Sequence, residues 1–145
     1  MSKTATKSKT ATKSKKTAPE GFCISCARDG GFESGGLRQK FEYRDLAIAE
    51  ATQGRFHAHV VRIGGTGQQV AVEHWHELDF QLVYILKGWI TFDYDGVGEV
   101  RLEAGDCVHQ PPGIHHAVLG HSPDLELLEV TSPADFATTE SEPVV

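Results

Sequence analysis

Two histidines one residue apart, His74 and His76, open the stretch HWHELDFQLVYILKG at residues 74–88. Alternation along an extended strand would put both on one face with Cα atoms about 6.5–7 Å apart, a spacing at which two imidazoles can share one metal ion. Gln81 follows inside an apolar run from Phe80 to Leu86. On a strand, Gln81, Val83 and Ile85 share one face and Phe80, Leu82, Tyr84 and Leu86 the other, so the run predicts a strand buried on both sides. An unpaired amide there costs about 1–3 kcal/mol, so Gln81 needs a hydrogen-bond partner or a ligand role. A second histidine group lies downstream, where Gly105 starts a turn, Pro111-Pro112-Gly113 makes another, and His115-His116 open the next strand.

The elements that must position these residues read as short strands at 40–46, 56–63, 69–73, 80–86, 89–94, 99–102, 107–110, 116–119 and 125–130. Turn residues separate them, among them Asp95-Gly96, Ala104-Gly105-Asp106 and Ser122-Pro123-Asp124, and no helical period establishes itself. Strands of this length and spacing predict an antiparallel sandwich or barrel. The expected organisation is a disordered tail at 1–18, an irregular lead-in at 19–36, one β-domain at 37–133 and a flexible tail at 134–145.

Composition narrows the function classes. The 145 residues suffice for one domain with a real core. No apolar run approaches the roughly 20 residues that span a bilayer, and the N-terminus has no hydrophobic segment of the secretory kind, so the expected compartment is the cytoplasm. The net charge of −6 is unevenly spread. SKTATK at 2–7 repeats at 8–13, and six lysines precede Pro19 with no acid among them. From Pro19 onward eight basic residues face twenty acidic ones, a net of −12, which makes nucleic acid an unexpected partner except through the lysine-rich tail. Cys23 and Cys26 have zinc or redox spacing but neither a second pair nor a thioredoxin-like setting, and with Cys107 they are too few for a disulfide framework.

Taken together, the two histidine groups resemble the paired motifs of the cupin superfamily, small jelly-roll barrels. The first motif reads His74-Trp75-His76, four residues, Gln81, six residues, Gly88, and the second reads Gly105, five residues, Pro111-Pro112-Gly113, two residues, His116. The resemblance covers roughly residues 55 to 131, and two motifs at matching spacing are more specific than a lone His-x-His. It implies an all-β, single-domain antiparallel jelly-roll barrel in which His74, His76 and His116 converge on one divalent metal, iron first, with zinc, manganese or nickel as alternatives.

Gln81 departs from the family pattern, standing where a glutamate is usual. The resemblance leaves it two roles: a weak ligand through its amide oxygen, or a hydrogen bond to a ligand from just outside the coordination sphere. Three neutral imidazoles leave the 2+ charge uncompensated, which weakens binding, sharpens Lewis acidity and favours an anionic substrate. Some cupin dioxygenases work with three histidines and iron, so the leading expectation is a small-molecule oxidoreductase of the dioxygenase type. The alternatives are a metal-dependent lyase or isomerase, using His57, His59 or Tyr84 to move a proton, and a non-enzymatic small-ligand-binding protein. Tyr84, His57 and His59 are the candidate substrate-pocket residues. His109, His115 and His121 are expected at the surface or the barrel mouth. The apolar outer face of the Phe80–Leu86 run calls for a cover, and a homodimer is the expected one.

Overall fold

The computed structural model describes residues 16–34, 40–64 and 71–141. Among these residues eleven strands carry the fold: β1 (Phe32–Ser34), β2 (Phe41–Asp45), β3 (His57–Ile63), β4 (His74–Glu77), β5 (Phe80–Lys87), β6 (Trp89–Tyr94), β7 (Gly98–Glu103), β8 (Cys107–His109), β9 (His116–His121), β10 (Glu126–Ser132) and β11 (Ala137–Glu140). They form two sheets, ordered β1-β2-β3-β10-β5-β8 and β11-β4-β9-β6-β7, and every pairing is antiparallel. The arrangement is a jelly roll whose sheets face each other across an apolar core that includes Phe41, Val83, Ile85, Ile90, Phe92 and Leu127.

Period-two alternation puts those residues inward. In β6 the even-numbered residues Ile90, Phe92 and Tyr94 are buried, and in β5 Gln81, Val83 and Ile85 are. The expectation that β5 is buried on both sides is corrected here. Its other face is only partly covered within the chain, with Tyr84 38% and Leu86 47% exposed. A sandwich covers one face of each sheet, and apolar character alone does not supply a cover for the second.

The lead-in and the C-terminal segment hold more structure than expected. β1 pairs with β2, and β11 pairs with β4 in register Thr138 to His76, so residues past 133 are built into the second sheet. One short helix, α1 (Ile48–Ala51), interrupts the strands between β2 and β3. Of the strand expected at 69–73, positions 71–73 form no strand, although the Glu73 carbonyl accepts the Ser141 N–H at 2.8 Å, and the rest lies outside the described residues, as do positions 1–15 of the lysine-rich tail. Among the described residues no helix is long and apolar enough to cross a membrane.

Gly88, the last residue of the first motif, makes the tight β5–β6 connection at φ 74°. A Cβ there would overlap Ser122 Oγ and lie 2.7 Å from Asp124 Oδ1 and 3.1 Å from the Leu125 Cα. Only glycine meets both the backbone angle and the close approach of the β9–β10 turn. The same serine accepts the Trp89 N–H at 2.9 Å, which ties the start of β6 to that turn.

Candidate metal centre

Three side chains meet inside the jelly roll because two strands are paired. His74 in β4 lies directly opposite His116 in β9, and alternation brings His76 to the same face of β4. The Pro-Gly turn delivers His116: Gly113 takes φ 75°, and its N–H donates to the His76 carbonyl at 3.2 Å, tying the second motif to the first. The ring centroids lie 4.3 Å (His74–His116), 4.9 Å (His74–His76) and 5.2 Å (His76–His116) apart. One nitrogen from each ring lies within 4.8 Å of the others, and this is the one such group among the described residues. His74 and His116 are 9% and 4% exposed.

Hydrogen bonds on the far side of each ring set the donor atoms. His74 Nδ1–H donates to the Val72 carbonyl at 3.0 Å, and His116 Nδ1–H donates to the Ile114 carbonyl at 2.9 Å. A carbonyl only accepts, so in the neutral rings Nε2 is unprotonated and carries the lone pair. His76 Nδ1 is hydrogen-bonded to Thr138 Oγ1 at 2.8 Å, a partner supplied by β11. Three neutral imidazoles with their Nδ1 atoms engaged are a donor set that fits a divalent transition metal.

The imidazoles open onto a cavity of about 400 Å³. Its apolar wall includes Tyr43, Val61, Ile90, Phe92, Leu127 and Phe136, and its polar lining is His59, Gln81, Gln110, Glu129 and Thr138 beside the three histidines. Gln81, only 3% exposed, does face this space, and its amide is not idle. Gln81 Nε2 donates to Glu129 Oε2 at 3.0 Å, while His59 Nε2–H donates to Glu129 Oε1 at 2.8 Å. The negative charge missing at position 81 is therefore present one strand away. Glu129 in β10 lies opposite His59 of β3 on one side and Val83 of β5 on the other.

Burial alone would raise the Glu129 pKa, but the hydrogen bond from His59 and the attraction of that ring when protonated, the hydrogen bond from Gln81 and the attraction of His76 when protonated outweigh it. The carboxyl therefore sits below its ordinary value and is ionised at neutral pH. It stands outside the three-histidine group. On the other side of the site Gln110 Nε2 donates to the Tyr94 hydroxyl at 2.6 Å, and the amide oxygen of Gln110 is buried without a hydrogen-bond partner among the described residues. Burial pushes the Tyr94 hydroxyl up to about 12, only partly opposed by the Gln110 hydrogen bond, so the phenol stays neutral and is no acid or base near pH 7.

The other sequence candidates separate. His59 lines the cavity, whereas His57 lines a neighbouring one and reaches the first through His59, its Nε2 lying 3.0 Å from His59 Nδ1. Tyr84 is corrected as a pocket residue: it projects from the opposite face of β5, toward the outside. His115 stacks on Trp75 with centroids 4.2 Å apart and donates to Glu73 at 2.9 Å on the outer side of the sheet. Cys23, Cys26 and Cys107 are free thiols. Glu129, Gln110, Phe136 and Thr138 were not expected at the site. A signal existed for Glu129, since in LELLEV it alternates with Leu125 and Leu127 and shares their buried face.

Comparison with known proteins agrees with this architecture. The cupin domain profile matches residues 60–131. No curated protein matches the chain. Among solved structures, KdgF from Halomonas sp. superposes with a TM-score of 0.62 at 19% identity, over 77% of this chain and 94% of that one. The polyketide cyclase RemF from Streptomyces resistomycificus gives 0.57 at 19% identity, over 73% and 74%. HppE in its FeII form gives 0.56 at 17% identity, over 79% and 62%. The chain belongs to the cupin superfamily.

Thr138 offers a test of the hydrogen bonds that fix the donor atoms. Thr138→Val keeps the shape of β11 but removes the hydroxyl from His76 Nδ1, and divalent metal affinity should fall about 10–100-fold with the fold intact. Isothermal titration with Zn(II), alongside circular dichroism, measures both.

Proposed function

We propose that this cupin is a metal-dependent small-molecule oxidoreductase of the dioxygenase type, with His74, His76 and His116 as the protein ligands of an Fe(II) ion. The observation that carries this reading is the three-imidazole group facing a mostly apolar, ligand-sized cavity. Fe(II) bound there would supply Lewis acidity and the reducing equivalents for O₂ chemistry. The protein's share is to bind, orient and exclude water. Gln81 is assigned outside the coordination sphere, because its amide nitrogen is committed to Glu129.

With Glu129 ionised, a 2+ ion and one carboxylate leave a single positive charge in the cavity, which favours a monoanionic substrate such as the enolate of a diketone, a thiolate or a phenolate. The buried amide oxygen of Gln110 would accept a hydrogen bond from a neutral O–H or N–H elsewhere on such a substrate, and Phe92 and Phe136 give its apolar body a wall. The Glu129–His59 pair also favours a second reading, a lyase or isomerase in which the same metal set polarises a carbonyl and Glu129 moves the proton. Small ligands are named with two structural neighbours of TM-score above 0.5, a formate complex of an oxalate decarboxylase and PAC13 with uridine.

The protein loaded anaerobically with Fe(II) should consume O₂ with at least one member of a panel of diketones, thiols and phenols. Tightly held zinc in the purified protein, with no oxygen uptake across the panel, would leave the lyase or isomerase reading in its place. The uncovered outer face of β5, with Tyr84 and Leu86, supports a homodimer. Light scattering at micromolar concentration should give twice the chain mass, and a monomer there contradicts it.

A further inference from the structure

Gln81, Glu129, His59 and His57 are joined end to end by hydrogen bonds that start inside the metal cavity and finish outside it. Gln81 and Glu129 line the first cavity; His57 lines a second, of about 470 Å³, bounded also by Gly30, Gly31, Glu33, Arg44 and Asp45. His59 and Tyr43 line both, and their rings, 5.2 Å apart, form the partition. We propose that Glu129, His59 and His57 are a proton path through this partition, and that it charges Glu129 with protons for delivery to a ligand in the metal cavity. This rests on reading that cavity as the ligand chamber.

The direction follows from which atoms can donate. An ionised carboxylate only accepts, so His59 must present Nε2–H to Glu129, and in the neutral ring its Nδ1 is then an acceptor. That acceptor is met by Nε2 of His57, which must carry its hydrogen, leaving Nδ1 as the acceptor nitrogen of His57. A proton taken up at His57 Nδ1 from water in the second cavity lets His57 Nε2–H pass to His59 Nδ1, and His59 Nε2–H pass to Glu129 Oε1. Three N–H or O–H bonds form and two N–H bonds break for one proton gained. Both rings end neutral in the opposite tautomer and Glu129 ends as the carboxylic acid. Run backwards, the same steps return the proton to solvent.

Gln81 is a positioning residue in this account. It holds Oε2, so that Oε1 stays on the His59 side, and being an amide it cannot pass the proton on. The groups acting on His57 are His59, Asp45 of β2, Glu129 of β10 and Asp135 after β10. Burial lowers the His57 pKa, and protonation of His59 would lower it further, against the three carboxylates, so the ring is neutral at pH 7 as the path requires.

The test uses the full chain labelled with ¹⁵N-histidine, metal-free and with Zn(II), and reads ring tautomers and solvent exchange of the His59 Nε2 proton by NMR. The path predicts Nε2–H tautomers for both His57 and His59. It also predicts exchange at His59 slowed at least about tenfold in His57→Phe and in His57→Gln, which keeps a polar side chain if the aromatic one misfolds. An Nδ1–H tautomer at His59, or His59 exchange unchanged in a folded His57 variant, overturns the path. Zinc binding measured on the same samples is a separate outcome: its loss from the wild type would refute the metal centre, while the exchange data would still decide the path.

Discussion

Three imidazoles can share one cation only if each turns a lone pair to the same point, and in this protein hydrogen bonds on the opposite nitrogens impose that. The carbonyls of Val72 and Ile114 take the Nδ1 hydrogens of His74 and His116, and Thr138 holds His76. Each partner depends on a different piece of the fold: the approach to β4, the turn after Pro111-Pro112-Gly113, and β11. The pairing of His74 with His116 joins the two motifs, and the Gly113 to His76 hydrogen bond keeps the turn in place. Much of the second sheet can be understood as the support these three rings require.

The first sheet supplies the charge. A glutamine inside a buried strand looks like a loss of one negative charge, yet Glu129 restores it from the neighbouring strand and Gln81 is the donor that keeps it oriented. A glutamate at position 81 would face a second carboxylate across that contact, and the two would compete for one proton. The glutamine and Glu129 are thus one arrangement. The metal ligands stay neutral, the carboxylate stays beside them, and His59 and His57 lead from it to a second cavity.

The fold class and the three-histidine group were legible because both rest on short-range regularities: period-two alternation, turn residues and the spacing of two motifs. Trp89–Tyr94 appears with the boundaries its pattern implies. What was not legible depends on which strands become neighbours. Glu129 alternates with buried leucines, but only the order β3-β10-β5 places it between His59 and Gln81. ATTE at 137–140 has no apolar face, and its strand exists because β4 offers it an edge. Tyr84 shows the converse. The alternation that put Gln81 inward already put Tyr84 outward, and its aromatic character was weaker information than its parity.

The central claim is that three imidazoles and no other side chain hold the metal. X-ray absorption at the metal edge of the iron-loaded protein tests it most directly, with wild type compared to Gln81→Ala. The outer-shell scattering should count three imidazoles, and the spectrum should be the same in the variant. Fewer than three imidazoles in the wild type, or a ligand lost when the Gln81 amide is removed, would contradict the account.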